Sequence, residues 1–316
     1  MKNNNIKIGL IGFGSIGKRH YENLTARGER VVVFSNRNSI KVSHQARNWK
    51  DFSSQGPYGA IFVTNETHKH IPTIKKAIAL NPKAIFIEKP LAPDFKPKEL
   101  NALLESLKKK KISAWVGYCL HFFRPLLEVK KLLQKNAIGR IYYMRVSYGN
   151  DLRSWRKRDY RLNYSAKKSQ GGGIMLDAIH DLNYPAWLLE DELRPLAGAI
   201  KKISSLQIDT EDYAESILVS KKKKVLVSVH QDYLRIPGKR SLEIAGEKGT
   251  IVWDSLRGEI SIETSNKIIR KKVPVERNEM YEKELDFFLK AVKKGKLFSN
   301  LREAMRDLEI IKILKK

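Results

Sequence analysis

Short apolar runs alternate with amphipathic stretches through the first third of the chain. Residues 6–11 (IKIGLI) form a run that ends in glycines, and a helical pattern follows over 15–27. Further runs occur at 30–35 (RVVVFS), 59–63 (GAIFV), 84–87 (AIFI) and 113–116 (SAWV), with a helical pattern over 70–80. Strands alternating with helices predict βαβ units and a doubly wound parallel sheet buried on both faces. Beyond about residue 120 the texture changes to a helix (125–134), a strand (141–147), a basic aromatic loop and a glycine triplet that opens a helix. The runs at 213–219, 225–234, 241–245 and 249–253 lie too close together to hold crossover helices. They predict an open, mostly antiparallel sheet. Two helical patterns, 279–293 and 300–314, end the chain. The expected architecture is α/β, with one domain over 1–120 and an α+β domain over 121–316.

Composition narrows the class. The 316 residues suffice for two domains. A hydrophobic share of 42% and a charged share of 30% fit a globular protein. The apolar run at 8–11 is far too short to span a membrane, and the N-terminus lacks a secretory pattern, so a cytoplasmic location without a membrane partner is expected. A single cysteine, Cys119, excludes an internal disulfide and a cysteine-rich metal site, and no metal is expected. Lysine and arginine number 61 against 34 acids, a net charge of +27. These cations are spread along the chain with only short clusters at 108–111 and 221–224 and no aromatic-interleaved stripe. A solvated lysine-rich surface, not a nucleic-acid interface, is the expectation.

The first chemistry lies in Gly12-Phe13-Gly14-Ser15-Ile16-Gly17, which follows the first strand and opens the first helix. That context turns a common glycine string into a dinucleotide-binding fingerprint. Gly12 permits the tight turn, Gly14 lets backbone approach a pyrophosphate, and Gly17 allows close packing of helix on strand. The helix N-terminus offers N–H groups to the phosphates. At the end of the second strand, where NAD sites usually place an acid, stand Ser35, Asn36 and Arg37. Arg37 suits a 2′-phosphate, so the cofactor is expected to be NADP or NAD with NADP favoured. Glu88-Lys89-Pro90 follows the strand at 84–87 and so faces the cofactor crevice. Gly171-Gly172-Gly173 precedes Asp177, His180 and Asp181. Asp177 and His180, three apart, are expected on one face of the helix that the glycines open. A histidine beside a carboxylate is a natural proton carrier near neutral pH.

Together these residues resemble the Gfo/Idh/MocA oxidoreductases, which act largely on sugars, inositols and nucleotide-linked sugars. The resemblance includes the Rossmann fingerprint, Thr64-Asn65 with His68, EKP at 88–90 and GGG-x3-D-x2-H at 171–180. It continues through DTEDYAE (209–215), SLEIAGEKGTIVWD (241–254) and MYEKELDFFL (280–289). It implies an NAD(P)-dependent dehydrogenase or reductase acting on CH–OH groups of a sugar or nucleotide-sugar-like substrate. The cofactor residues it implies are those at 12–17 and 35–37 with Thr64, Asn65, His68, Glu88 and Lys89. Lys89 resembles the lysine that stabilises the substrate oxyanion, Asp177 the residue that orients substrate, and His180 the acid/base. The Lys89–Pro90 bond is expected to be cis. Substrate contacts are expected from Lys89, His121, Arg124, Arg156, Tyr160, Asp177 and His180.

Two departures stand out. Many relatives space the aspartate and histidine four apart; the three-residue spacing resembles a branch associated with surface carbohydrates and suggests an activated or acidic sugar. Relatives tend to carry arginine where His121 stands, while Arg124 sits beside Pro125. The loop 153–164 carries Arg153, Arg156, Lys157, Arg158 and Arg161 among Trp155, Tyr160 and Tyr164. It is expected either to read a nucleotide or phosphate on the substrate or to serve oligomer contacts or solubility. The resemblance assigns the second domain to substrate binding and oligomerisation, as a homodimer or homotetramer. A dinucleotide-binding sensor without turnover is the alternative, opposed by the intact Lys89, Asp177 and His180.

Overall fold

The five early apolar runs become parallel strands, and a sixth, very short strand joins them at one edge. The structure, a computed structural model, describes residues 5–38, 40–155 and 159–316. The chain divides into two compact units, residues 1–117 with 281–306 and residues 118–280 with 307–316.

In the first unit the elements run β1 (Lys7–Ile11), α1 (Ser15–Ala26), β2 (Arg30–Phe34), β3 (Gln45–Ala46), α2 (Trp49–Ser54), β4 (Ala60–Val63), α3 (His70–Ala79), β5 (Ala84–Ile87), α4 (Pro97–Lys109) and β6 (Ser113–Val116). The sheet order β3-β2-β1-β4-β5-β6 reverses direction between β1 and β4, the topological switch point of a doubly wound fold. Every residue of β4 and β5 is buried, as expected of strands covered on both faces. Helix α4 was not anticipated. It starts on a proline and buries Leu100, Leu103 and Leu107 at helical spacing.

The second unit contains α5 (Arg124–Gln134), β7 (Ile141–Gly149), α6 (Ile174–Asp177), α7 (His180–Leu189), β8 (Leu193–Lys201), β9 (Tyr213–Ser220), β10 (Leu226–Asp232), β11 (Lys239–Gly246), β12 (Gly249–Asp254), β13 (Glu259–Glu263) and β14 (Ile268–Lys272). They form an eight-stranded sheet ordered β14-β13-β12-β11-β7-β10-β9-β8. Neighbours are antiparallel except β7 and β10, which pair in parallel. The long connection through α6 and α7 makes that parallel pairing possible. In β9, Ala214, Ser216, Leu218 and Ser220 point to the buried face and alternate with more accessible residues. On the accessible face His230 lies 2.8 Å from both Asp232 and Glu215. These carboxylates, Asp232 first, raise the His230 pKa to about 9 against the opposing effect of burial.

The chain then forms α8 (Glu279–Lys294) and α9 (Leu301–Leu314). Residues 281–306 pack with the first unit, so the expected continuous second domain over 121–316 is corrected. The physical reason is the apolar face of α8. Leu285, Phe288, Leu289 and Val292 join the core formed by Ile8, Leu10, Phe62 and Phe86. The Phe288 ring meets Phe62 and Phe86 edge-on at 5.3 and 5.4 Å. Asn300 closes the edge of β6 by accepting from Val116 N at 2.7 Å and donating to Val116 O at 2.9 Å. Among the described residues no helix is long and apolar enough to cross a membrane.

Candidate active site

Register assembles the site of the first unit. Ile11 pairs with Phe34 and Val63, Val63 with Ile87, and Ile87 with Val116. The residues that follow each strand, at 12, 35, 64, 88 and 117, therefore line one carboxyl edge of the sheet. Gly12 adopts φ +99°, and a Cβ there would lie 2.5 Å from Asn65 N, so both conformation and space demand glycine. A Cβ on Gly17 would overlap the Gly12 carbonyl and stand 2.8 Å from Thr64 Oγ1. The Thr64 hydroxyl braces this turn, within 2.8 Å of Gly12 O and 3.1 Å of Ile11 O.

Gly14 is different. No atom lies within 4 Å of the position its Cβ would take. It caps α1, no side chain bonds into the cap, and the turn closes with Lys18 N donating to Gly14 O at 2.9 Å. The N–H groups of Ser15, Ile16 and Gly17 are left at the helix end, a ready anion site. Phe13 contributes backbone: its ring packs on Tyr21 at 5.7 Å, and its carbonyl accepts from Arg37 Nη1 at 3.0 Å. Gln45 fixes the loop by donating to Ser35 O and Arg37 O at 2.8 and 3.0 Å. Asn36 and Arg37 are exposed.

Conformation and space together separate the roles of the two glycines. Gly12→Ala is expected to destabilise the fold by about 1–3 kcal/mol. Gly14→Ala is expected to cost about 1 kcal/mol or less of stability yet weaken dinucleotide binding strongly. Thermal melting and fluorescence titration of each variant check both; a Gly14→Ala variant that binds normally defeats the assignment.

Asn65 donates to Thr73 Oγ1 at 2.8 Å, while its Oδ1 is buried without a partner among the described residues. His68, half-buried at the same turn, has a buried Nδ1 likewise unpartnered among the described residues. Glu88 lies with Oε1 2.6 Å from His20 Nε2. Lys89 is half-buried and the Lys89–Pro90 bond is cis, as expected. His70, which sequence reasoning passed over in favour of His68, lies 2.8 Å from Pro90 O and 3.0 Å from Asn65 O. Burial lowers its pKa, and the two carbonyls oppose that shift.

In the second unit the glycine triplet packs chain against chain. Gly172 faces the carbonyls of Tyr164 and Ser165, and Gly173, at φ +113°, leaves no room beside the Glu211 carboxylate. The expectation of one helix carrying Asp177 and His180 is corrected. Helix α6 stops at Asp177, Ala178 departs to φ −99° and ψ 26°, and α7 begins at His180. The Ala178 carbonyl accepts from Gln231 Nε2 at 2.6 Å, a tertiary bond at the break.

Asp177 is buried and its Oδ2 accepts from the Tyr233 hydroxyl at 2.5 Å. Burial first, and the Asp177 charge second, hold the Tyr233 pKa well above its usual value, so Tyr233 stays a donor. Its ring meets Trp155 nearly at right angles at 5.2 Å. His180 is framed by Cys119, with Sγ 3.8 Å from Nε2, and by the Tyr118 ring at 5.9 Å. Tyr118 is anchored by donating to Asp307 Oδ2 at 2.6 Å, which also accepts from Asn183 at 2.8 Å. Sequence reasoning took His121 and Arg124 from the segment that holds Tyr118 and Cys119 but not these two, and no motif marks Tyr233.

His121 stacks on Trp187 at 4.7 Å with planes 10° apart. Burial lowers its pKa to about 4, so a neutral ring stands here. Arg124 Nη2 donates to Glu279 Oε1 at 2.7 Å. The Tyr160 hydroxyl accepts from Gln207 N at 3.1 Å, while Arg153 and Arg161 pair with Asp151 and Asp159. Arg156, Lys157 and Arg158 lie outside the described residues.

Residues 6–118 match an oxidoreductase family with an NAD-binding Rossmann fold, and residues 126–252 match the GFO/IDH/MocA C-terminal domain. A myo-inositol 2-dehydrogenase of Thermotoga maritima is 24% identical over 313 residues, covering 92% of this chain and 89% of the relative. Among solved structures, a myo-inositol 2-dehydrogenase from Lactobacillus plantarum has a TM-score of 0.81 at 18% identity, covering 99% of this chain and 96% of that one. A 3-ketoreductase from Actinomadura kijaniata, determined with TDP-benzene and NADP, has a TM-score of 0.84 at 15% identity, covering 98% of each chain. The chain thus belongs to the Gfo/Idh/MocA family of NAD(P)-dependent oxidoreductases.

Proposed function

We propose that this chain interconverts a hydroxyl and a keto carbon of a sugar-like substrate, with a nicotinamide dinucleotide held by the loop at 12–17. Held by residues 12–17, a nicotinamide dinucleotide would supply the hydride acceptor for the substrate C–H bond in the oxidative direction. His180 takes the hydroxyl proton, and the Lys89 ammonium stabilises the charge that develops on oxygen. Asp177, held by Tyr233, orients the substrate by accepting from a neighbouring hydroxyl. The observation that carries this reading is the strand register, which sets the open Gly14 turn and Lys89 on one edge. A sugar or nucleotide-sugar is favoured because the similar proteins include inositol dehydrogenases and a ketoreductase determined with a TDP compound.

NADP is the favoured dinucleotide. The exposed Arg37 is seated on the Phe13 carbonyl, and residues 35–37 bring no carboxylate to repel a 2′-phosphate. Arg37→Ala is expected to weaken NADPH binding by roughly 10- to 100-fold, the usual worth of a charge-assisted contact, and to leave NADH nearly unchanged. Equal or tighter binding of NADH by the unaltered chain overturns the preference. Fluorescence titration with both nucleotides, followed by a turnover screen of inositols and nucleotide sugars, tests the whole function. Binding with turnover supports it, and failure to bind either nucleotide rejects it.

A further inference from the structure

Two buried histidines hold the two neighbours of Lys89. On one side, Glu88 ends β5 with its backbone N donating to Val63 O at 2.9 Å, and its carboxylate is turned inward at 8% exposure. Gly117 lies alongside, and a Cβ there would crowd the Phe86 ring at 3.0 Å while only touching Glu88 Oε1 at 3.5 Å. A carboxylate so buried requires a donor. His20 supplies it from α1, 2.6 Å away, at 1% exposure and with its ring against Phe62 and Phe86. His20 Nδ1 is buried with no partner among the described residues, which puts the proton on Nε2, facing Glu88. On the other side, His70 at the start of α3 has Nδ1 2.8 Å from the Pro90 carbonyl and Nε2 3.0 Å from the Asn65 carbonyl; a neutral ring has one N–H, which at the shorter distance donates from Nδ1 to Pro90.

The two residues flanking Lys89 are thus tied to two different helices, Glu88 by its carboxylate and Pro90 by its carbonyl, and one of these helices, α1, is the one proposed to offer its N-terminus to the dinucleotide phosphates. We infer that His20 and His70 are positioning residues for Lys89, setting where its ammonium stands without touching substrate. This inference rests on the role proposed for Lys89. A displacement of about 1 Å at a reacting group can slow turnover by up to about 10²-fold, so the effect should be measurable.

The experiment compares His20→Leu with His20→Gln, whose amide nitrogen can replace Nε2 as donor, in the full chain with dinucleotide bound. Turnover, the primary deuterium isotope effect and labelling of Lys89 by an amine-selective reagent are measured together. His20→Leu should lower kcat by about 10-fold or more, with substrate KM and NADPH affinity within a few-fold, and should raise the isotope effect as hydride transfer becomes limiting. Lys89 labelling should become several-fold faster, and His20→Gln should restore both readings. Unchanged kcat and labelling in His20→Leu overturns the inference, as does equal loss in both variants together with a lowered Tm. Should His20→Leu not fold, His70→Asn, which can keep the bond to Pro90, and His70→Gln, which can keep only the bond to Asn65, replace it. Only the second should slow turnover and speed labelling, and identical behaviour of the two overturns the inference. Should the unaltered chain bind dinucleotide but turn over no sugar, the proposed function fails. The labelling comparison then decides the positioning on its own.

Discussion

With His180 in its proposed role, its replacement by asparagine is expected to lower turnover by about 10²-fold or more, the usual worth of a positioned proton carrier, while NADPH affinity stays within a few-fold. Dinucleotide binding is expected to be spared because the glycine loop and Arg37, the residues proposed to hold it, belong to the first unit, whereas His180 belongs to the second. His180 is surrounded by groups that orient it without replacing it. Cys119 approaches Nε2, Tyr118 packs on the ring, and Asp307 with Asn183 anchors Tyr118. Asparagine preserves polarity at similar volume but cannot accept a proton near neutral pH. The variant should therefore also lose the limb of the kcat/KM–pH profile that belongs to the base. Near-normal turnover in His180→Asn would remove the residue from the mechanism.

Replacing Arg240 by leucine is expected to destabilise the protein by about 3–5 kcal/mol, because it removes the guanidinium paired with a buried carboxylate. Asp181 is 0% exposed and accepts from Arg240 Nε and Nη2 at 2.9 Å each, a two-pronged pair. Burial, the largest single influence, works against the Arg240 charge, but Asp181 together with Tyr148 and Tyr184 turns the net shift of the arginine pKa upward. The guanidinium also lies 4.2 Å from the centre of the Tyr148 ring. Thermal melting should show a fall on the order of 10 °C. Removing both partners, with leucine at 181 and 240, should recover much of the loss. A single-variant loss below about 1 kcal/mol is what an exposed pair would give, and it would contradict this account. The functional link is direct, since Asp181 follows His180 on α7 and its anchor fixes the start of that helix.

Much of this protein was legible from local pattern. The β-branched runs, the glycine turn after the first strand and the glycine triplet before Asp177 and His180 each act within a window of a few residues. Backbone sterics and side-chain periodicity decide such features before any distant contact forms. Thus β5 and β6 lie where their apolar runs predicted, and Gly12 adopts the conformation that only glycine readily accepts. Other features depend on residues far apart in sequence. The pattern of α8 revealed an apolar face but not which core would take it, and that face fills the first unit rather than the second. Asp177 and His180 suggested one helix, but the chain breaks at Ala178, whose carbonyl bonds Gln231. Tyr233 meets Asp177 across 56 residues, Arg240 meets Asp181 across 59, and His20 meets Glu88 across 68. None of these pairs has a local signature, because a buried polar group finds its partner only once sheet register and helix packing have placed both.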